Sequence, residues 1–272
     1  MCYTNYVWPQ GRRNDAEGGR CLCRQRKREK AMKIIITAGG TSERIDDVRT
    51  ITNSSTGSLG LAIGEAFVRE AEETGRIERI YYLHGLRAKA PEHEVVTPVP
   101  IEGVLDLQAN LTRILTEEKI DACIHAMAVS DYMVHQVTTL DKLMGTEDPD
   151  HVQDLSGNKI SSDIDDLIIH MKRSPKVISG IKKTSPETVL VGFKLLSGVH
   201  HEELIDVGYR LLQKNDCDFV MANDLKEIGP GVHRGYLIHR DKSVDTMETN
   251  EEIAEMIRRR VLETAETAGQ DR

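Results

Sequence analysis

The residue types best suited to chemistry are concentrated between Lys33 and Gly60. Gly39-Gly40-Thr41 follows an apolar run, and paired glycines let backbone N–H groups come close to an anion. A second small, polar cluster, Thr52-Asn53-Ser54-Ser55-Thr56-Gly57, runs into a helical pattern that begins near Leu59. Two loops able to bind oxyanions, one ending a strand and one opening a helix, therefore lie close together. That pairing suits a phosphate-rich ligand. Asn53 can hold a carboxylate or acyl oxygen through donated hydrogen bonds, or it can serve as a turn or helix-cap residue.

Other candidates follow later strands: His125-Ala126-Met127 leading into Ala128 to Asp131, then Phe193-Lys194, then Asn223-Asp224. In an open α/β sheet the C-terminal strand edge is where ligands bind. Asp131 can accept from ribose hydroxyls or help place Mg²⁺, or simply mark a surface turn. Lys159 can close over a triphosphate as a mobile point charge, or be an ordinary solvated lysine. Arg210 and Lys214 stand one helical turn apart, either gripping phosphate or forming an exposed helix flank. The histidines show neither HxH nor HExxH spacing, so no tight zinc site is expected. Cys123 and Cys217 fall at or beside core strands and read as packing residues.

The elements that must position these groups alternate. Ile34-Ile35-Ile36 reads as a buried strand and Leu59 to Glu73 as a helix closed by Gly75. Arg79 to Leu83 is a strand, Val95-Val96 a short one, Ile101 to Glu118 a helix and Ile120 to Ala126 a further strand. From Met133 to Lys159 the periodicity is lost, which predicts a functional flap or partial disorder. Beyond it come a strand at Leu167 to Met171, a short helix opened by Ser174-Pro175, and a strand at Thr188 to Phe193. The helix from His200 to Lys214, a strand at Asp218 to Ala222, an edge hairpin at Gly235 to Ile238 and Ser243 to Met247, and a final helix capped by Asn250 complete the chain. This pattern predicts an α/β fold: a doubly wound, mostly parallel, Rossmann-like sheet with an edge hairpin and a long flap loop. GGTS is not GxGxxG, so the standard dinucleotide fingerprint is absent.

Composition narrows the class. The 272 residues carry a formal charge of −8, which argues against nucleic acid as the main partner. No apolar run approaches the roughly 20 residues of a membrane helix. The five cysteines are irregularly spaced, which points to a reducing, cytoplasmic setting. Residues 1–31 stand apart, with eight Arg and Lys against three acids, a net of +5 that leaves −13 on the remainder. Cys21-Leu22-Cys23 alone is a weak metal signal. The segment is read as a disordered tail or as sequence upstream of a true start at Met32, with 32–272 as a single nucleotide-binding domain.

Taken together, the blocks GGTSExIDxVRxITNxSTGxLG, AVSDY, NKISSD, VGFK and ANDL, in that order, resemble phosphopantothenoylcysteine synthetases, most of all the stand-alone bacterial form. The resemblance runs from Met32 to the final helix. It implies a ligase of coenzyme A biosynthesis that joins 4′-phosphopantothenate to L-cysteine through an acyl-cytidylate. CTP would be the co-substrate, with ATP as the alternative, and Mg²⁺ would assist. By family position Asn53 would hold the acyl-cytidylate and Lys159 would contact the triphosphate. Gly39, Gly40, Thr41, His125, Ala126, Met127, Asp131, Phe193, Arg210 and Lys214 would border the nucleotide. Arg49 and Ser55 would lie where the second subunit of a homodimer completes the site. The sequence departs from the family at Lys159-Ile160-Ser161-Ser162, where a lysine-rich run is usual, and at Arg210, often lysine. It also lacks the acidic residue usual after Gly192-Phe193. A nicotinamide-dependent reductase would need GxGxxG and Tyr-x-x-x-Lys, both missing. A non-catalytic regulatory subunit would not need Asn53 and Lys159.

Overall fold

Three consecutive isoleucines, Ile34, Ile35 and Ile36, are fully buried in the first strand, and they divide between two cores. Alternate strand residues face opposite sides, so a strand apolar at every position must be covered on both. The computed structural model describes residues 31–148, 150 and 152–270, with side chains as far as 267. The expectations for residues 1–30 lie outside the described residues.

The chain begins β1 (Met32–Ala38), β2 (Ser42–Arg44), β3 (Thr50–Thr52), α1 (Ser58–Thr74), β4 (Ile77–Gly85), β5 (Val96–Ile101), α2 (Val104–Glu117) and β6 (Ala122–His125). Next come β7 (Tyr132–Thr139), α3 (Leu140–Met144), β8 (Leu167–Arg173), α4 (Ile178–Thr184), β9 (Val189–Leu196) and α5 (His201–Asn215). The last part holds β10 (Phe219–Asp224), β11 (Ile228–Gly229), β12 (Val232–His233), β13 (Gly235–His239), β14 (Val244–Met247) and α6 (Asn250–Gln270).

Eight strands form the main sheet in the order β14-β13-β10-β9-β6-β1-β4-β5. The pairs from β10 to β5 are parallel, and β13 and β14 add an antiparallel edge hairpin. The fold is thus the expected doubly wound sheet. α1 and α6 cover one face through Ile63, Phe67, Ile253 and Ile257, while α2, α4 and α5 cover the other through Leu107, Leu111, Ile181, Leu204 and Leu212. The chain builds outward from β1 through β4 to β5, then crosses back to β6. The crevice for a ligand therefore opens at the C-terminal ends of β1 and β6.

Four expectations need correction. Ile101 ends β5 rather than opening a helix, because Glu102 and an extended Gly103 intervene and the Glu43 carboxylate accepts the Val104 N–H at 3.0 Å. Residues 174–177 are a connection, and α4 starts only at Ile178. Thr249, not Asn250, caps α6: its Oγ1 accepts the Glu252 N–H at 3.1 Å. The region expected as a flap loop contains β7, which pairs antiparallel with β8 as a two-stranded arm outside the main sheet. β8 therefore belongs to that arm and not to the doubly wound sheet.

One core residue gives a stability test. Tyr82 is fully buried against α1, and its hydroxyl has no hydrogen-bond partner among the described residues. Burial pushes its pKa up. Tyr82→Phe removes an unsatisfied polar atom, so it should leave stability unchanged or raise it by about 1 kcal/mol. Denaturant unfolding checks this; a loss of comparable size would mean that the hydroxyl has a partner.

Candidate active site

The loop after β1 is built for close approach. Gly39 has φ +80°, which favours glycine, and a Cβ on Gly40 would meet the Asn53 carbonyl oxygen at 2.8 Å. A Cβ on Gly85, at the end of β4, would meet the Gly40 oxygen at 2.3 Å. The glycines thus serve first to let three chain segments touch, and only then to expose backbone to a ligand.

Those contacts bring Asn53 to the end of β6. Its Nδ2 donates to the Ala128 oxygen at 2.7 Å, and that oxygen also accepts the Thr41 N–H at 3.2 Å. Ala128 in turn donates its N–H to the Gly39 oxygen at 2.8 Å, and Thr41 Oγ1 accepts the Ser130 N–H at 2.9 Å. Gly39, Gly40, Thr41, Asn53 and Ala128 to Ser130 therefore form one hydrogen-bonded cluster. Asn53 is half-buried there. Its Oδ1 and second N–H are not used in that bond. Beside it, α1 starts at Gly57 with no side-chain cap and no acidic residue in its first turn, which leaves the positive end of the helix dipole uncompensated. Ser55 lies half-buried on the same connection. The N-terminus of α2, by contrast, is already capped by Glu43.

His125 borders the cluster from inside. It is buried, and its Nδ1 lies 3.0 Å from Thr37 Oγ1, which also accepts the Met127 N–H at 3.1 Å. The Thr37 hydroxyl and His125 Nδ1 share a hydrogen bond whose donor follows from the imidazole tautomer. Burial lowers the His125 pKa from 6.5 to about 4. The unfolded chain binds a proton below pH 6.5 that the folded chain refuses, so stability falls as pH drops from about 6.5 toward 4. The full effect is about 3 kcal/mol. His125→Asn should flatten that part of the stability–pH curve relative to the parent. Parallel curves would contradict the assignment.

A residue not singled out by the sequence reading organises the other side. Asp46 is buried in the turn between β2 and β3. Its Oδ1 accepts the N–H groups of Val48 (2.9 Å) and Arg49 (2.7 Å). Its Oδ2 accepts Arg49 Nη1 (2.7 Å) and, from far along the chain, the Ile160 N–H (3.1 Å). Burial opposes the charge, but these backbone donors and the Arg49 guanidinium outweigh it and hold the carboxyl below its usual range. Arg49 Nη2 also reaches the Ile160 oxygen at 3.5 Å. Ile160 is thereby pinned to the hairpin that ends at Thr52, one residue before Asn53. Its neighbour Lys159 is exposed and makes no hydrogen bond or ion pair with another described residue. Arg49, expected at a subunit interface, is engaged within its own chain.

The remaining candidates are not all gathered here. Asp131 is exposed at the foot of the arm and pairs with Lys176 Nζ at 2.5 Å. Phe193 lies in β9, half-buried against the core. Asp224 is structural, accepting the N–H groups of Gly198, Val199 and Lys226 at 2.8–2.9 Å. α5 connects parallel β9 to β10 and so runs back toward the N-terminal sheet edge. Tyr209 touches the β13–β14 turn at that edge, donating to the Arg240 oxygen at 3.4 Å. Arg210 and Lys214, exposed on this part of the helix, are not brought to the cluster within one chain. Cys123 and Cys217 are buried, and desolvation pushes both thiols up, Cys217 to about 12. Neither is a reactive thiolate.

Comparison with known proteins places this chain in a family. A profile described as DNA/pantothenate metabolism flavoprotein C-terminal domain matches residues 29–264. The chain belongs to this family. The crystal structure of the DNA/pantothenate metabolism flavoprotein from Streptococcus pneumoniae is 34% identical, with a TM-score of 0.77, over 86% of this chain and 100% of that one. The Coenzyme A biosynthesis bifunctional protein CoaBC of Thermococcus kodakarensis is 31% identical over 228 residues, 83% of this chain and 49% of its own length. The chain thus spans about half the length of the curated CoaBC relatives it matches. A Cab2 variant in complex with phosphopantothenate-cysteine shares the fold at 17% identity and a TM-score of 0.66, over 90% of this chain and 89% of that one. No described helix is long and apolar enough to cross a membrane.

Proposed function

We propose that this chain is a phosphopantothenate–cysteine ligase of coenzyme A biosynthesis, using CTP with Mg²⁺. The carboxylate of 4′-phosphopantothenate attacks the α-phosphorus of CTP, releasing pyrophosphate and leaving an acyl-cytidylate. The amine of L-cysteine then attacks the acyl carbon, forming the amide and expelling CMP. The observation that supports this reading most is the docking of Asn53 at the end of β6, beside the glycine loop and the uncapped N-terminus of α1. Asn53 donates toward the acyl oxygen, and backbone N–H groups and the helix dipole take up phosphate charge. Lys159 adds a positive charge from the pinned end of the arm connection. Asp131 is already paired with Lys176, so this carboxylate is no ready-made cage for a resident ion. Mg²⁺ is therefore read as part of the nucleotide substrate.

The same reading takes the homodimer as the working unit, with Arg49 and Ser55 toward the partner and Phe193, Arg210 and Lys214 as further nucleotide contacts. Incubating the purified chain with 4′-phosphopantothenate, L-cysteine, Mg²⁺ and either CTP or ATP, and weighing the products by mass spectrometry, tests the activity. Phosphopantothenoylcysteine formed with CTP supports it. Formation with ATP alone overturns the nucleotide, and no product with either overturns the ligase.

A further inference from the structure

The arm carries a cluster that the ligase reading does not use. His135 lies on β7, His170 on β8 and Asp150 on the connection between the strands. One ligand atom from each falls within 4.8 Å of the other two. A register break makes this possible. Val134 pairs with Met171 and Gln136 with His170, so His135 is the extra residue of a bulge. In regular alternation His135 and Gln136 would point to opposite faces, whereas a bulge re-aims its side chain. The two imidazoles meet edge to face with ring centroids 5.3 Å apart. The connection is also folded back on β7: Leu155 donates its N–H to the Val137 oxygen, and Val137 donates to Asp154 Oδ1, both at 2.8 Å.

We propose that His135, Asp150 and His170 form a divalent transition-metal site that clips the 140–166 connection to the arm. Two imidazoles and one carboxylate suit Zn²⁺, Co²⁺ or Ni²⁺ better than Mg²⁺ or Ca²⁺, which favour all-oxygen ligands. With metal–ligand bonds of about 2.0–2.2 Å, the three groups need to close by only about 1 Å. Gln136, buried, brings its side-chain amide to 3.5 Å from His170 Nδ1, in reach to orient the ring. Lys172, two residues from His170 on the same strand face, places Nζ 3.0 Å from Asp150 Oδ1. Its ammonium is the carboxylate's cation in the metal-free chain, and an incoming ion must displace it.

The test is titration of the full chain with Zn²⁺ by calorimetry and with Co²⁺ by visible absorption, together with hydrogen exchange of residues 140–166. One ion per chain is expected, with slowed exchange in that segment. His135→Asn and His170→Asn should each weaken binding at least about tenfold. Far-UV circular dichroism establishes that both variants are folded, and His135 is exposed, so its replacement disturbs no core. Lys172→Met should tighten binding. Unchanged exchange in the segment, or affinity that survives both histidine substitutions, as binding to the cysteines near the N-terminus would give, overturns the proposal. The outcome is independent of whether the ligase reading holds.

Discussion

Asn53→Ala should reduce ligation about 100-fold or more while the chain stays folded. The side chain has one role in the structure and a second in the proposed reaction. Its Nδ2 bonds the Ala128 oxygen and so fixes the 52–57 connection against the end of β6. In the proposed reaction its remaining polar atoms meet the acyl group. Loss of one positioned donor to a developing oxyanion costs about 10²–10³ in rate. The structural share is small by comparison, because Thr52 Oγ1 and the Asn53 N–H still bond the Thr41 oxygen in the variant. Asn53→Asp separates the two roles. It retains the shape but places a carboxylate against a carbonyl oxygen, so both thermal stability and activity should fall. Product formation and melting temperature check this; an Asn53→Ala protein with more than a tenth of parental turnover would remove Asn53 from the chemistry.

Lys159→Ala should also cost about 100-fold, and Asp46→Asn about tenfold to 100-fold, through the same defect. Both Asp46 oxygens are filled by donors, so an amide in its place turns N–H groups toward N–H groups. The Ile160 anchor is then lost, and with it the fixed position of its chain neighbour Lys159. If Asp46 acts by positioning Lys159, the double variant should be little worse than Lys159→Ala alone, and Asp46→Asn should raise KM for the nucleotide. A double-mutant cycle measures this. Fully additive losses would show that the two residues act separately. A lower melting temperature for Asp46→Asn with unchanged kinetics would make the carboxylate purely structural.

Much of the frame was legible because burial on both faces leaves a plain mark. The runs at Ile34 to Ile36 and at Leu190 to Gly192 lie in central parallel strands, and the glycine and asparagine clusters fall at strand and helix ends as expected. What stayed hidden depends on contacts distant in sequence. The β7 half of the arm reads as loop in the sequence because a two-stranded ribbon beside the sheet buries only part of β7, so no alternating apolar pattern forms. Asp46 is one of several charged residues between Glu43 and Arg49. Its Asp-x-Val-Arg spacing suits a turn in which a carboxylate takes the next N–H groups, but Ile160 is 114 residues away. The Arg210 and Lys214 pair was correctly placed on one helix. The direction of that helix across the sheet, which carries them away from the ends of β1 and β6, follows from topology and not from spacing. The His135 and His170 pair arises across two strands at a bulge, where no local motif exists.

The proposed ligase activates a carboxylate by nucleotidyl transfer. Phosphopantothenate labelled with ¹⁸O in its carboxylate, turned over with CTP, Mg²⁺ and L-cysteine, tests it most directly. Attack of that carboxylate on the α-phosphorus must leave one labelled oxygen on the CMP released when the amide forms. Label in CMP, with unlabelled pyrophosphate, is the predicted result. Label in inorganic phosphate together with CDP would mean activation through an acyl phosphate, and would contradict the account.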